Sequence, residues 1–320
     1  MAWYWLFLSS AGAVAFIGYC ASRFAERRAL TRLPPAAELF EMRLHTVYRW
    51  ATWAMRARCR RIRKTKSLIS VPRFALVIQH TIRLFTMRVL GVVLVRSWRG
   101  LRTARMLELA TKWLDDVVDG DQPPSDGEEP QDLFDHVTRV SHGFANLPCL
   151  GERALSEDLP LAWLVRATRR FLGFDVLPDM LEIWENYTPD ARRTLEGQPI
   201  TDQATLMKAH DAYRGLRHLA ARMVGLSEKR AWLFAELTVE SGLALDRLRD
   251  FLRDARKRQI AIPAEELIAA GIDADELLLH AASWQDLATV PGVSDWYIAE
   301  ATRCIARWEA GRIQPVVATP

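Results

Sequence analysis

Apolar residues recur every three to four positions along most of this chain, with charged residues between them. This period matches one face of an α-helix, whereas the strict alternation of a half-buried strand is not sustained anywhere in the sequence. The pattern therefore predicts an all-α protein. The predicted helical segments are Ala36–Met55, Phe74–Val95, Arg102–Val118, Leu161–Leu172, Asp175–Tyr187, Ile200–Leu226, Glu228–Arg258, Ala264–Leu279 and Val293–Glu309.

The N-terminal segment differs from these helices because Ala2–Ser22 carries no charged side chain. It is long enough to span a bilayer as a helix, and Trp3–Trp5 stand where an aromatic belt would lie. A cleaved signal peptide has positive charge before its apolar run, but here Arg23 and Arg27 follow the run. The sequence predicts a retained single-pass anchor at 1–22, with the rest of the chain on the cytoplasmic side. A signal peptide or a buried core helix is the alternative.

The 320 residues have a net charge of +4, but the distribution of charge is uneven. Met42–Leu107 contains 16 lysines and arginines and no acidic residue. Such a block suits nucleic acid, an anionic membrane surface or a phosphorylated ligand. Because no nucleic-acid recognition motif accompanies it, we expect membrane lipids and not nucleic acid as its partner. Residues 23–69 are interpreted as a basic juxtamembrane segment, and residues 311–320 as a tail.

A first candidate site stands at the end of the predicted helix Arg102–Val118. Asp115, Asp116 and Asp119 are spaced so that their carboxylates share one side of a helix. Like charges in this arrangement repel. A divalent cation with oxygen ligands offsets that cost, and magnesium does so especially when a diphosphate completes its coordination. The alternative is an acidic helix end that leads into the acidic loop Asp121–Asp132.

A second candidate site lies on the predicted helix Glu228–Arg258. An acidic stripe consists of Asp246, Asp250 and Asp254, and a basic stripe beside it consists of Arg249, Arg253 and Arg256. A solvated helix with ion pairs would show the same pattern, each pair contributing about 0.2–0.5 kcal/mol. Leu248 and Phe251 indicate that this helix also packs against other elements, so its carboxylates can border a pocket.

The two acidic clusters, about 130 residues apart, are more informative together than either is alone. Facing each other across a helical bundle, they would bind magnesium and a diphosphate. Ionisation of an allylic diphosphate needs such cations to take up the charge of the leaving group. It also needs an apolar cavity that keeps water away from the carbocation. The predicted metal ligands are Asp115, Asp116, Asp119, Asp246, Asp250 and Asp254, and the predicted diphosphate ligands are Arg249, Arg253 and Arg256.

These motifs resemble those of the squalene and phytoene synthase family. Asp115–Gly120 is similar to the first aspartate-rich motif of that family. Leu248–Asp250 and Asp254–Arg256 are similar to the second aspartate-rich motif of the family. Ile262–Pro263 and Glu265–Leu267 are similar to the segment that follows this motif. Weaker signatures between the two motifs are Leu177–Glu182, Tyr213 and Val224–Leu226. The likeness covers about residues 70–310.

The resemblance implies an isoprenoid synthase helical bundle with a central apolar cavity over residues 70–310, preceded by the transmembrane anchor. It implies a magnesium-dependent prenyltransferase that joins two C15 or C20 prenyl diphosphates head to head. Asp115, Asp119, Asp250 and Asp254 would be its catalytic residues. A membrane anchor suits an enzyme whose hydrocarbon product is too apolar for water. No dinucleotide-binding fingerprint is present, which favours a phytoene-like product over squalene.

The second motif departs from the family pattern at four positions. Asp246 replaces an Asn, and Leu243 replaces a Gln. Gln259 and Ala261 stand where the family prefers an Arg and a Tyr. These changes favour an alternative, a non-catalytic relative tethered to a membrane for binding or assembly. A terpene cyclase that uses a single prenyl diphosphate is a further alternative.

Overall fold

The computed structural model describes residues 20–65, 98–124, 127–145 and 153–313 of the protein. The described residues are mostly helical, which confirms the all-α class. The helices are α1 (Glu38–Glu41), α2 (Leu44–Thr65), α3 (Trp98–Val118), α4 (Pro130–Ala145), α5 (Asp158–Ala167), α6 (Leu177–Leu195), α7 (Gln203–Met223), α8 (Glu228–Arg256), α9 (Ala264–Ala269), α10 (Ala274–Leu279), α11 (Trp284–Leu287) and α12 (Val293–Ile313). A π-helical turn, Thr168–Leu172, follows α5, and two short strands are β1 (Ile200–Thr201) and β2 (Ile260–Pro263).

The start of α7 differs from the sequence expectation. Ile200, predicted as a helical residue, lies in β1, which pairs in parallel with β2 through Ile260. The helix begins after Asp202, whose side chain accepts the backbone N–H of Thr205 at 2.7 Å. Such a cap stabilises a helix start because it satisfies an N–H that has no partner within the helix. A two-residue strand is too short to produce an alternating pattern, so the sequence did not predict it.

The segment predicted as one helix over Ala264–Leu279 is divided into α9 and α10. Gly271 between them has a φ of 65°, a left-handed conformation that ends a helix. Asp273 then caps α10 by accepting the backbone N–H groups of Asp275 and Glu276. Both short helices contribute a buried leucine to the smaller core cluster, Leu267 from α9 and Leu277 from α10.

Two of the predicted segments lie largely outside the described residues. The anchor at 1–22 does so except for positions 20–22, where a helical segment begins that runs to residue 30. The predicted helix Phe74–Val95 lies wholly outside them. Helix α2 lies within the basic juxtamembrane segment and continues beyond its predicted end at Met55 to Thr65. Among the helices that the structure describes, none combines the length and apolarity needed to cross a bilayer.

Two main clusters of buried apolar side chains form the core. The larger cluster joins the apolar faces of α1 to α7, with Leu107, Phe134, Leu164 and Leu219 fully buried. The smaller cluster joins the end of α8, β2 and the helices that follow, and it contains Phe251, Ile260, Ile262, Leu277 and Trp296. Helix α8 packs against α7 and also against α12 and β2. With 29 residues it is about 43 Å long, which is enough to run from one cluster to the other.

Candidate functional site

The first acidic cluster lies on the last turn of α3 and just beyond it. The apolar side chains of this turn are buried in the larger core cluster and are Trp113, Leu114, Val117 and Val118. Helical geometry therefore turns the carboxylates of Asp115, Asp116 and Asp119 to the other side of the helix, where each is half-buried. Gly120, with a φ of 68°, ends the helix directly after them.

Lys112 is the cation closest to this cluster. Its Nζ lies 2.6 Å from Oδ2 of Asp115 and 3.0 Å from Oδ1 of Asp116. The second oxygen of Asp116 accepts a hydrogen bond from Nε2 of Gln122 at 3.1 Å. The positive charge of Lys112 thus lies between two predicted metal ligands, Asp115 and Asp116, and offsets the repulsion between their carboxylates.

The protonation of Asp119 is strongly perturbed. Burial raises the pKa of Asp119 to about 7, and the charge of Asp115 acts in the same direction, while Lys112 and Lys257 oppose it. A half-buried carboxylate beside a second carboxylate is unfavourable without a cation. Asp119 is therefore only partly ionised near neutral pH.

Tyr187 of α6 lies against the same cluster. Its hydroxyl donates a hydrogen bond to Oδ1 of Asp115 at 3.4 Å. Burial raises the pKa of Tyr187 well above its ordinary value, and the charges of Asp115 and Asp119 raise it further. Tyr213 of α7, one of the weaker family signatures, also contributes to this shift. The phenol therefore remains a neutral hydrogen-bond donor at the edge of the acidic cluster.

The second acidic cluster lies on α8 and is already paired with arginines. Arg249 Nη2 lies 2.6 Å from Oδ2 of Asp250, and Arg253 Nη2 lies 3.2 Å from the same oxygen. Arg253 Nε also lies 3.1 Å from Oδ1 of Asp254. The side chains of Arg249 and Arg253 are 63% and 55% exposed, whereas that of Asp250 is 16% exposed. The guanidinium groups therefore reach solvent above carboxylates that lie deeper.

The two carboxylates of α8 differ in acidity. Burial acts to raise the pKa of Asp250, but the hydrogen bond and charge of Arg249 and the charge of Arg253 bring it below its ordinary value. Burial raises the pKa of Asp254 above its ordinary value although Arg253 opposes this. Of these two carboxylates, Asp250 is thus the more firmly ionised.

A direct contact joins the two acidic segments. Lys257, just past the end of α8, donates to Oδ1 of Asp121 at 2.6 Å and to the backbone oxygen of Asp119 at 3.4 Å. The charge of Lys112 on α3 lowers the pKa of Asp250 on α8, and these helices are therefore electrostatically coupled as well. The structure thus brings the end of α3 and the end of α8 together, although more than 130 positions separate Lys257 from Asp121 in sequence.

Arg256, one of the predicted diphosphate ligands, contacts backbone carbonyl groups of another segment. Arg256 donates from Nε to the backbone oxygen of Ala281 at 3.1 Å and from Nη2 to that of Ala282. Its guanidinium therefore stabilises the turn after α10, and its predicted contact with a diphosphate stays a prediction. Asp246 lies on α8, but its side chain is outside the described part of the structure.

The described residues contain no group of three or more His, Cys, Asp or Glu side chains arranged to hold a metal ion. Within this part of the chain, the carboxylates of α3 and α8 are arranged around lysine and arginine cations. The sequence pattern did not predict Lys112, Gln122 or Tyr187 as neighbours of the site. The spacing of Lys112, three and four residues before two aspartates, is a signal that could have identified it. Tyr187 had no such signal, because α6 approaches α3 only through tertiary packing.

No family model matches this chain, and no curated protein matches it by sequence. The resemblance to squalene and phytoene synthases therefore rests on the motif residues alone.

Proposed function

We propose that this protein is a magnesium-dependent prenyltransferase that condenses two C15 or C20 prenyl diphosphates head to head into a phytoene- or squalene-like hydrocarbon. The observation that carries the proposal is the junction of the two acidic segments, in which Lys257 contacts Asp121 at 2.6 Å. Two aspartate-rich helix ends lie together there, with cationic side chains among them. This is the arrangement that binding and ionisation of a diphosphate require.

The residues at this junction fit magnesium by the chemistry of their donors. Mg²⁺ prefers carboxylate oxygens and is usually bound by one or two carboxylates together with substrate phosphates. Asp115 and Asp119 offer such oxygens at the end of α3, and Asp250 and Asp254 do so on α8. The raised pKa of Asp119, about 7, indicates a deficit of positive charge that a divalent cation would remove. When bound, magnesium would stabilise the negative charge that develops on the diphosphate leaving group.

The arginines of α8 are suited to bind the diphosphate. Arg249 and Arg253 are more than half exposed, so each can rotate from its carboxylate towards an incoming ligand. A guanidinium binds phosphate oxygens with two parallel hydrogen bonds, which fixes orientation as well as charge. Lys112 already lies between two carboxylates of α3 and would share them with the bound cation. Tyr187 would keep the orientation of Asp115 through its hydroxyl.

The membrane location is part of the same proposal. The apolar N-terminal run and the basic segment behind it would hold the helical domain at the cytoplasmic surface of a membrane. A hydrocarbon product formed there can pass into the bilayer and need not enter water. The central apolar cavity implied by the resemblance would hold the prenyl chains and keep water from the carbocation.

The test is an incubation of the purified full-length protein with labelled farnesyl or geranylgeranyl diphosphate and MgCl₂. Release of pyrophosphate and a hydrocarbon of C30 or C40, identified by mass, are the expected results. Asp115→Ala and Asp250→Ala should each reduce turnover by at least about a hundredfold, because each removes charge stabilisation of the leaving group. Asp295→Asn removes an exposed carboxylate at the start of α12 and should leave turnover unchanged.

A second candidate function is binding without catalysis. It is favoured by the pairing of Lys112 with two carboxylates of α3 and of Arg249 and Arg253 with those of α8. The altered second motif favours it too. A protein of this kind would bind a non-hydrolysable prenyl diphosphate analogue in the presence of magnesium and release no pyrophosphate from the substrate. A product with the carbon count of a single substrate would instead indicate a terpene cyclase.

A further inference from the structure

A second charged site lies around the π-helical turn that follows α5. An open cleft of about 350 Å³ is present there, and the residues that line it include Leu44, Arg166, Arg169 and Arg170. Three guanidinium groups in one cleft form a concentration of positive charge that needs an explanation. The first acidic site offers none, since its residues do not line this cleft.

The spacing of the three arginines is unfavourable for the isolated helix. Arg169 and Arg170 follow Arg166 by three and four positions, and residues at these intervals are neighbours on one helix face. Like charges placed in this way destabilise a helix. Burial lowers the pKa of Arg166, and the charge of Arg170 lowers it further. A bound anion is the partner that would reverse this repulsion.

The backbone of the turn is fixed by several contacts. The hydroxyl of Thr168 donates to the carbonyl oxygens of Leu164 and Val165. Gly173, with a φ of 76°, closes the turn by donating its N–H to the carbonyl of Thr168 at 3.0 Å. Single π-turns of this kind are rare and are often found at functional sites. The turn therefore presents Arg169 and Arg170 from a rigid backbone.

Little negative charge balances these arginines among the residues that the structure describes. Arg166 donates a hydrogen bond to the backbone oxygen of Leu39 at 2.6 Å. This contact fixes the position of the guanidinium group but does not neutralise its positive charge. Arg169 pairs with Asp175 at 2.6 Å, and both side chains are more than 40% exposed, so water weakens this pair. Arg170 lies over the ring of Phe171, with 5.9 Å between Cζ and the ring centroid. Among the described residues, Asp175 is thus the one carboxylate paired with these three guanidinium groups.

Two further features add positive potential at the same place. Arg99 of α3 lies over the same ring of Phe171 at 5.1 Å, so this ring holds two guanidinium groups near each other. Helix α2 begins at Leu44, which lines the cleft, and the N-terminus of a helix carries a partial positive charge. Both features make the cleft more attractive to an anion.

The cleft is separate from the acidic site. Arg99 stands near the start of α3, and Asp115 stands 16 positions later, which corresponds to about 24 Å along the helix. Screening by salt makes interactions across such a distance small. The cleft and the acidic site can therefore be tested independently of each other.

We propose that Arg166, Arg169 and Arg170 form a binding site for a phosphate group, distinct from the acidic site and not needed for its chemistry. Arginine suits this role because its planar fork donates two parallel hydrogen bonds to phosphate oxygens. The phosphate is either free in solution or part of the headgroup of an anionic lipid such as phosphatidate. Leu44 on the wall of the cleft would contact the apolar part of a lipid ligand.

The test measures binding to the full-length protein in detergent by calorimetry at constant ionic strength. One arm titrates inorganic phosphate, and the other titrates short-chain phosphatidate. The double variant Arg169→Gln/Arg170→Gln should lose at least about tenfold in affinity for the ligand that binds, since two charge-assisted hydrogen-bond donors are removed. Arg169→Lys/Arg170→Lys keeps the charge but loses the fork and should show an intermediate affinity.

Arg192→Gln is the matched control, because Arg192 is an exposed arginine on another helix, α6. It should bind like the unchanged protein, and thermal unfolding followed by circular dichroism should show that all variants are folded. Equal affinity for both probes supports a site for free phosphate, and at least tenfold tighter binding of phosphatidate supports a lipid headgroup site. The proposal is overturned if neither probe binds, or if the double glutamine variant binds them as tightly as the Arg192→Gln control.

Discussion

At the scale of single residues, burial sets the charge of the acidic cluster on α3 as much as sequence does. Three aspartates follow one another closely in the chain, yet the pKa of Asp119 rises to about 7, first through burial and then through Asp115. An aspartate in an unfolded chain has a pKa near 3.9. Between about pH 4 and pH 7 the folded protein therefore holds a proton on Asp119 that the unfolded chain releases.

This difference in proton binding predicts how stability depends on pH. Since the folded state binds the additional proton, the contribution of Asp119 to the free energy of unfolding falls as pH rises from about 4 to 7. Asp119→Asn removes the titrating group. We expect the advantage of this variant over the unchanged protein in the free energy of unfolding to be about 1–3 kcal/mol larger at pH 8 than at pH 5, as measured by urea denaturation with EDTA present.

Asp295→Asn is the control for this experiment, because it removes an exposed carboxylate elsewhere. It should leave the difference between pH 5 and pH 8 unchanged. An Asp119→Asn protein whose stability depends on pH as steeply as that of the unchanged protein would contradict the raised pKa of Asp119.

At the scale of the elements, one ion pair joins the loop after α3 to the end of α8. Lys257 contacts Asp121 with both side chains partly exposed, 27% and 29%. An exposed pair of this kind typically contributes no more than about 1 kcal/mol. Its importance is positional, because it sets the distance between the two acidic segments.

A charge exchange tests this link. Lys257→Glu places a third carboxylate beside Asp119 and Asp121, and it should lower the free energy of unfolding by about 1–2 kcal/mol. Adding Asp121→Lys restores an ion pair in which the positive and negative side chains have exchanged positions. We expect the double variant to recover at least half of the loss in urea denaturation. Additive effects of the two changes would show that the two side chains are not in contact in solution.

The turn between α11 and α12 shows how closely the smaller core cluster is packed. Gly292 has a φ of 78°, and a β-carbon there would overlap the carbonyl oxygen of Ala270 and lie 3.0 Å from Cγ1 of Ile272. Gly197, after α6, has a similar φ of 70° but no heavy atom within 4 Å of such a β-carbon. The two glycines therefore share a backbone conformation and differ in their surroundings.

Alanine substitution at these two positions separates the two effects. Gly197→Ala should cost about 1 kcal/mol, because only the left-handed backbone becomes strained. Gly292→Ala should cost about 3 kcal/mol or more, because α9 must also move to make room. Urea denaturation at pH 7 measures both values. Equal costs would mean that the backbone of Ala270 does not lie against this turn.

At the scale of the whole molecule, the candidate site lies where the two core clusters meet. Helix α3 ends in the larger cluster with Val118, and α8 enters the smaller cluster with Phe251, next to Asp250. A hydrogen bond from the backbone of Gln203, at the start of α7, to Glu265 of α9 at 3.1 Å is a further link between the two parts. The carboxylates of the two helices thus keep their relative positions only when both clusters are folded.

The proposed attachment to a membrane is also a property of the whole chain. We expect the full-length protein to stay with the membrane fraction in 1 M NaCl and in alkaline carbonate, because an apolar anchor is indifferent to salt. A chain that lacks residues 1–22 should be released by 1 M NaCl, since only the basic segment would remain. Its contacts with anionic lipids are worth about 1 kcal/mol per residue and are screened at that salt concentration.

Fractionation followed by immunoblotting measures both outcomes. Release of the full-length protein by carbonate would show that residues 1–22 do not span the bilayer. Retention of the shortened chain in 1 M NaCl would show that another part of the protein also binds the membrane.

Local sequence patterns determined the helical class, most of the long helices and the grouping of aspartates on one side of α3 and along α8. These features depend on residues three or four positions apart, and a period of that length can be read from the chain. The patterns did not determine that Ile200 pairs with Ile260, nor that Arg256 turns to the carbonyl oxygens of Ala281 and Ala282. Each of these contacts depends on how separate elements approach each other.

Tertiary structure alone decided the arrangement of the candidate site. The contact of Lys257 with Asp121 and that of Tyr187 with Asp115 join residues that are 136 and 72 positions apart. The raised pKa of Asp119 likewise comes first from burial, which does not exist in an extended chain. Sequence thus supplied the charged groups and their order, and packing of the helices supplied the distances and the exclusion of water that set how those groups behave.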